Sequence, residues 1–77
     1  MVLSDIRKGD RAEILKIHAD KVLKDRLKSF GVMRGEILFV KGCSLAKKTM
    51  EIEVGSTLIA LRADEADKIE IKQINGA

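Results

Sequence analysis

Between Met50 and Arg62 the chain can do little except form a β-hairpin. Met50, Ile52 and Val54 alternate with Glu51 and Glu53, the period-2 pattern of a strand with one buried and one wet face. Gly55-Ser56 is a two-residue connection of the Gly-X kind, which favours a type II′ turn, and it leads straight into Thr57 to Arg62. The two segments therefore pair antiparallel. Everything else has to be built around that unit within 77 residues, which leaves room for one domain and no separate catalytic lobe.

Domains of this size bury only about 60 to 65% of the surface their unfolded chains expose, and many add disulfides or a metal for stability. One Cys rules out an internal disulfide, and one His without paired Cys or His spacings provides no structural zinc site. Two Phe are the only aromatics, so ring clusters and base stacking are both poorly supplied. With 45% hydrophobic and 35% charged residues, the chain is expected to fold around an aliphatic core. Met1 to Asp10 contains no basic stretch followed by an apolar run, and no apolar segment reaches about 18 residues. The expectation is a soluble, cytoplasmic protein without membrane insertion, and the lone Cys43 agrees with a reducing compartment.

The rest of the pattern completes a small β-structure. Ser4 is a candidate N-cap for one helical turn through Ile6, which Gly9 ends. Arg11 to Ile17 reads as a strand whose apolar residues change phase, from Ala12 and Ile14 to Leu15 and Ile17, as a bulge requires. Asp20 can cap a helix in which Leu23, Leu27 and Phe30 recur at i, i+4 and i+7, with Gly31 as its left-handed stop. At about ten residues that helix is too short to stand alone, so its apolar stripe must pack on a sheet. Glu36 to Lys41 contains the run Ile37-Leu38-Phe39-Val40, which suits a strand buried on much of both faces and closed by Gly42. Cys43 to Thr49 reads as a loop, Ala63 to Asp67 as a helical turn, and Ile69 and Ile71 mark a last strand that frays at 75–77. Five short strands with one short α-helix inserted between strands 1 and 2 predict a mainly β fold, a small SH3-like barrel spanning residues 1–77. An OB-type barrel is the runner-up, but its usual helix lies between the third and fourth strands.

Catalytic constellations are scarce. Every Asp and Glu falls on a turn, a helix surface or the polar face of a strand, where solubility is the plain explanation. Glu51 and Glu53 share one strand face but lack the ligand loop that a calcium site needs. His18, Asp20 and Cys43 match no ligand spacing, and Cys43 reads as a partly buried small hydrophobe. Gly31-Val32-Met33-Arg34-Gly35 lacks the Gly-Lys-Ser/Thr of a phosphate loop. No cofactor, no metal and no catalytic residue are expected, which leaves a binding module. Charge bears on the partner. The net charge is +3, but residues 1–50 hold 12 Lys/Arg against 6 Asp/Glu while residues 51–77 hold 3 against 6, a pattern that predicts either a dipolar molecule or, where the signs intermingle on folding, an ordinary solvated surface.

Four stretches together resemble the FeoA family, small proteins of bacterial ferrous iron transport. They are Leu3-Ser4-Asp5-Ile6 with Gly9; Leu27, Gly31 and Gly35 at four-residue spacing; Met50 to Val54; and Ala60-Leu61-Arg62 with Glu65-Ala66 and Ile69. Leu45 matches a family leucine, although the prolines that often flank it are replaced in Cys43-Ser44-Leu45-Ala46-Lys47-Lys48. The resemblance implies an SH3-like barrel, no enzymatic activity, and protein–protein contact with the cytoplasmic, GTPase-bearing part of the FeoB membrane transporter. A similar barrel forms the carboxy-terminal domain of DtxR-type metal-dependent repressors, so a detached regulatory module is a related alternative.

On that basis the expected contact surface is the helix, its following turn and the 43–49 loop, with Leu27, Met33 and Leu45 as partner-binding residues. Leu27 also belongs to the apolar stripe and so competes for a core role. The alternative class is a nucleic-acid or anionic-surface binder using Lys21, Lys24, Arg26, Lys28, Lys47 and Lys48, and a third is an iron chaperone.

Overall fold

A computed structural model describes residues 1–44 and 48–74. A single 3-10 turn, Leu3–Asp5, precedes β1 (Arg11–Ile17), α1 (Lys21–Ser29), β2 (Ile37–Cys43), β3 (Thr49–Val54), β4 (Thr57–Arg62), α2 (Ala63–Ala66) and β5 (Ile69–Gln73). The five strands form one antiparallel sheet in the order β4-β3-β2-β1-β5, with α1 between the first two strands in sequence. The hairpin from β3 to β4 is regular, pairing Val54 with Thr57 and Ile52 with Ile59, and Gly55 takes the positive φ that its turn position needs.

Two bulges bend the sheet. Opposite β5, Ile14 pairs with Ile71 but Lys16 pairs with Glu70, so Leu15 is the extra residue and the phase change read in the sequence is real. Opposite β3, Val40 pairs with Ile52 but Gly42 with Glu51. Gly42 therefore lies inside β2 instead of closing it, and the strand continues through Cys43. Curvature at both places wraps the sheet around Ile14, Leu38, Val40, Ile52, Leu61 and Ile69, all fully or nearly fully buried. Among the described residues no ladder joins β4 to β5; the short α2 connects those two edges, so hydrogen bonding does not run all the way around. The far edge of β5 is covered by the chain start, where Ile71 N–H donates to Met1 C=O at 2.9 Å.

Several local expectations change. β2 is not buried on both faces: Leu38 and Val40 are inaccessible, whereas Ile37 is 45% exposed and Phe39 half-buried. Among the described residues nothing covers the outer face of this strand, so the apolar run alternates like any half-wet strand. Cys43, read as partly buried, is exposed on that strand. Ser4 is not the N-cap of the first turn; the Asp5 carboxylate accepts the Val2 N–H at 3.0 Å, and the Ser4 hydroxyl donates to Asp67.

The end of α1 shows the most consequential difference. Asp20 caps the helix as expected, its carboxylate accepting the Leu23 N–H at 2.9 Å. At the other end, Gly31 adopts φ 89, its N–H donates to Lys28 C=O, and Val32 N–H donates to Leu27 C=O, both at 2.9 Å. This is a Schellman closure, in which the residues bracketing the turn make an apolar contact, here Leu27 and Val32, both at 0% exposure. Val32 thus takes the core place expected of Phe30, which turns outward at 43% exposure.

Two substitutions check this packing in urea unfolding. Gly31→Ala forces a side chain into the left-handed region and is expected to cost about 1 kcal/mol. Leu27→Ala removes a fully buried side chain and is expected to cost about 2–5 kcal/mol.

Candidate partner-binding groove

A groove of about 390 Å³ runs between the end of β1, one side of α1 and the turn that follows the helix. The bulge at Leu15 sets one wall, because it shifts the strand's phase so that Ile17 leans inward, half-buried, and Lys16 points out. Lys24 and Lys28, one helical turn apart, form the second wall. Val32, Met33 and Arg34 complete it, Val32 buried and Met33 38% exposed.

The charges around this groove are of one sign. Lys16, Lys24, Lys28 and Arg34 line it, and no carboxylate does. None of the four forms an ion pair with a described residue, whereas other cations are engaged: Arg26 reaches Glu65 on α2 at 3.1 Å, and Lys41 lies 3.9 Å from Glu53 and 5.0 Å from the centre of the Phe39 ring. Placing Lys24 and Lys28 at i, i+4 costs the helix roughly 0.2–0.5 kcal/mol by like-charge repulsion. The result is a cationic rim over an apolar floor of Ile17, Val32 and Met33, with no acid, His or thiol in it to perform proton transfer or nucleophilic attack.

A larger hollow of about 500 Å³ lies elsewhere, among Ser4 to Lys8, Cys43, Thr49, Met50 and α2. Its charges are mixed, and its carboxylate, Asp5, is already committed to the Val2 N–H. Of the residues singled out by sequence, Met33 sits in the basic groove, Leu27 lies wholly beneath it and can influence a partner only by holding the helix, and Leu45 lies outside the described residues. The described part of the 43–49 segment borders the other hollow, so it does not share a groove with Met33. Of the six cations considered as an anionic-surface patch, Lys24 and Lys28 line the groove, Arg26 is tied to Glu65, and Lys47 is outside the described residues. Lys16, Ile17 and Arg34 were missed by sequence reasoning, although the phase change in β1 was the signal that pointed to the first two.

The residues considered as metal ligands are occupied separately. His18 Nε2 is 2.8 Å from Glu70 Oε1, Asp20 caps α1, and Cys43 lies on β2. Among the described residues no group of three or more His, Cys, Asp or Glu converges as a metal site would require, and no helix is long and apolar enough to cross a membrane.

Residues 1–73 match the FeoA domain family model. A putative Fe(2+) transport protein A of Campylobacter jejuni is 36% identical over 74 residues, covering 96% of this chain and all of its own. An Fe(2+) transport protein A/Fe(2+) transporter FeoB fusion protein of Porphyromonas gingivalis is 27% identical over 75 residues, covering 97% of this chain and 9% of the fusion. The solution structure of FeoA from Chlorobium tepidum superposes with a TM-score of 0.93 at 30% identity, over 100% of this chain and 73% of that one. Zinc-complexed FeoA from Stenotrophomonas maltophilia, described as a prokaryotic SH3 domain, gives a TM-score of 0.79 at 25% identity over 94% of this chain and 89% of its own. A manganese-dependent transcriptional repressor shares the fold, with a TM-score of 0.87 at 20% identity over 95% of this chain and 40% of the repressor.

The His18–Glu70 pair gives a pH test. The hydrogen bond from His18 is the main influence holding the Glu70 carboxyl below its usual range; partial desolvation opposes it, and the positive charges of His18, the amino terminus and Lys16 add to it. A carboxyl lowered in the folded state contributes stability above its unfolded value and loses it as pH falls through the folded value. Both side chains are nearly half exposed, so the contribution is small and screened by salt. In melting curves at low salt, Glu70→Gln is expected to melt slightly below the parent at neutral pH, and the two curves are expected to converge once pH drops below the ordinary glutamate range.

Proposed function

The chain belongs to the FeoA family, and from that premise we propose that it is a non-enzymatic accessory of ferrous iron transport, acting in the cytoplasm by contact with the cytoplasmic, GTPase-bearing part of a FeoB-like transporter. The observation that carries this reading is the Porphyromonas gingivalis fusion, in which a segment similar to nearly all of this chain is joined to FeoB in one polypeptide. Fusion fixes two modules at a high effective concentration, an arrangement that favours modules that bind each other.

The geometry supports a binding role. Among the described residues its basic groove presents apolar and cationic contact groups without a carboxylate to act as base. Met33 is the exposed apolar side chain of that groove, so it is the natural anchor of the contact. Leu27 supports that surface from the core, and Leu45, outside the described residues, is retained as a second proposed contact.

Met33→Asp places a negative charge and a solvated group at the anchor while leaving the core untouched. Capture of the purified FeoB cytoplasmic domain by the immobilised variant is expected to weaken by about tenfold or more, with an unchanged circular dichroism spectrum. Undiminished capture by the folded variant places the contact on another surface.

A further inference from the structure

The groove beside α1 restricts the chemistry of whatever fills it. Its floor is apolar, Ile17, Val32 and Met33, and its volume of about 390 Å³ lies near the small end of ligand cavities, roughly 300–1,000 Å³. It therefore suits an inserted side chain with its neighbours, not the face of a domain. Around that floor stand Lys16, Lys24, Lys28 and Arg34, without an ion partner among the described residues.

Two of the chain's own acids are already committed. The Asp20 carboxylate is used on the Leu23 N–H, and Glu70, which faces Lys16 across the β1–β5 register, is held by His18. Four N–H groups of the turn are also used within the chain. The N–H groups of Gly31, Val32, Gly35 and Glu36 all donate to backbone carbonyls, of Lys28, Leu27, Ile14 and Met33 respectively. What the groove offers an anion is thus side-chain ammonium and guanidinium groups spread around an apolar centre, and no aromatic ring lines it for a nucleobase to stack on.

We propose that this groove receives an acidic segment of a partner protein, with a large apolar side chain seated on Ile17 and Met33, which the buried Val32 supports from beneath, and flanking carboxylates on Lys16, Lys24, Lys28 and Arg34. This rests on the reading of the α1 side as a protein-contact surface and adds the kind of sequence it recognises. Separated anchors of two chemistries give the site a specificity that either one alone lacks, because a neutral apolar segment leaves four cations unpaired and a purely acidic one leaves the floor uncovered.

The probe is a fluorescein-labelled synthetic peptide in which a Leu-Phe pair is flanked on both sides by glutamates, followed by fluorescence anisotropy and by backbone amide shifts. Binding is expected to fall about tenfold or more when the glutamates become glutamines, when Leu-Phe becomes Ser-Ser, or when the protein carries Lys24→Glu with Lys28→Glu. Shifted amides are expected at residues 16–17, 24–28 and 32–34. The proposal is overturned if the Ser-Ser peptide, an oligothymidylate or phosphatidylserine vesicles bind as tightly as the Leu-Phe peptide, if the double variant binds it unchanged, or if the shifts cluster around the hollow at Cys43. The FeoB cytoplasmic domain is tested in parallel. Peptide binding without domain binding keeps the groove's specificity and removes FeoB as its partner, whereas domain binding that survives the double variant keeps the partner and removes the groove.

Discussion

The hydrogen bond from Val32 N–H to Leu27 C=O is the point on which the α1 side of this domain turns. α1 has nine residues, too few to persist in water by itself, so its place depends on how its ends are fixed. Asp20 fixes the start. The closure at Gly31 fixes the end and brings Leu27 and Val32 into the same core, so that the helix and the following turn move as one body. Without it Met33 and Arg34 would have no defined relation to Lys24 and Lys28, and the groove they form with Lys16 would not exist. The ion pair between Arg26 and Glu65 adds a tie from α1 to α2, but a partly exposed pair of this kind contributes about 1 kcal/mol at most and cannot replace buried packing.

The bulge at Leu15 is the matching device on the strand side. A regular β1 would keep even-numbered residues inward and bury Lys16 with Ala12 and Ile14, an arrangement a small aliphatic core cannot tolerate. The extra residue resets the phase, putting Ile17 inward and Lys16 on the rim. One irregularity therefore bends the sheet and supplies two of the groove's residues. The second bulge, near Gly42, bends the sheet on the opposite flank and carries β2 on to Cys43, next to the larger hollow.

Much of the architecture was legible because its signals are local. The alternation from Met50 to Val54, the Gly55-Ser56 turn and the Asp20 cap each depend on a few adjacent residues, and each appears where expected. The errors came where tertiary context decides. Ile37 to Val40 looks the same in sequence whether one face or two are covered, and only the lack of a second layer exposes Ile37. Phe30 has the helical spacing of a core residue, but the chain reverses just there and Val32 takes the position. For the site, Met33 could be chosen because it follows the helix outside its buried stripe. The grouping of Lys16 with Lys24, Lys28 and Arg34 could not, since it joins residues from a strand, a helix and a turn through a bulge whose effect on side-chain direction is three-dimensional.

Charge and apolar contact do different work in such a groove. Each cation is exposed and, within about 8 Å of screening at physiological salt, adds little to affinity. Several of one sign around one cleft instead raise the rate of productive encounter with an acidic surface and reject a basic one. In the proposed contact, residence would depend on the floor, because apolar area removed from water at Ile17 and Met33 governs dissociation more than the rim does. A domain with so small a floor is suited to reversible association, and covalent fusion of two modules, as in the Porphyromonas gingivalis protein, holds them at a high effective concentration. The same barrel framework occurs in a repressor at 20% identity. The framework therefore does not determine the task; if the proposed contact on the α1 side holds, members that share the fold but not the partner should differ in charge there.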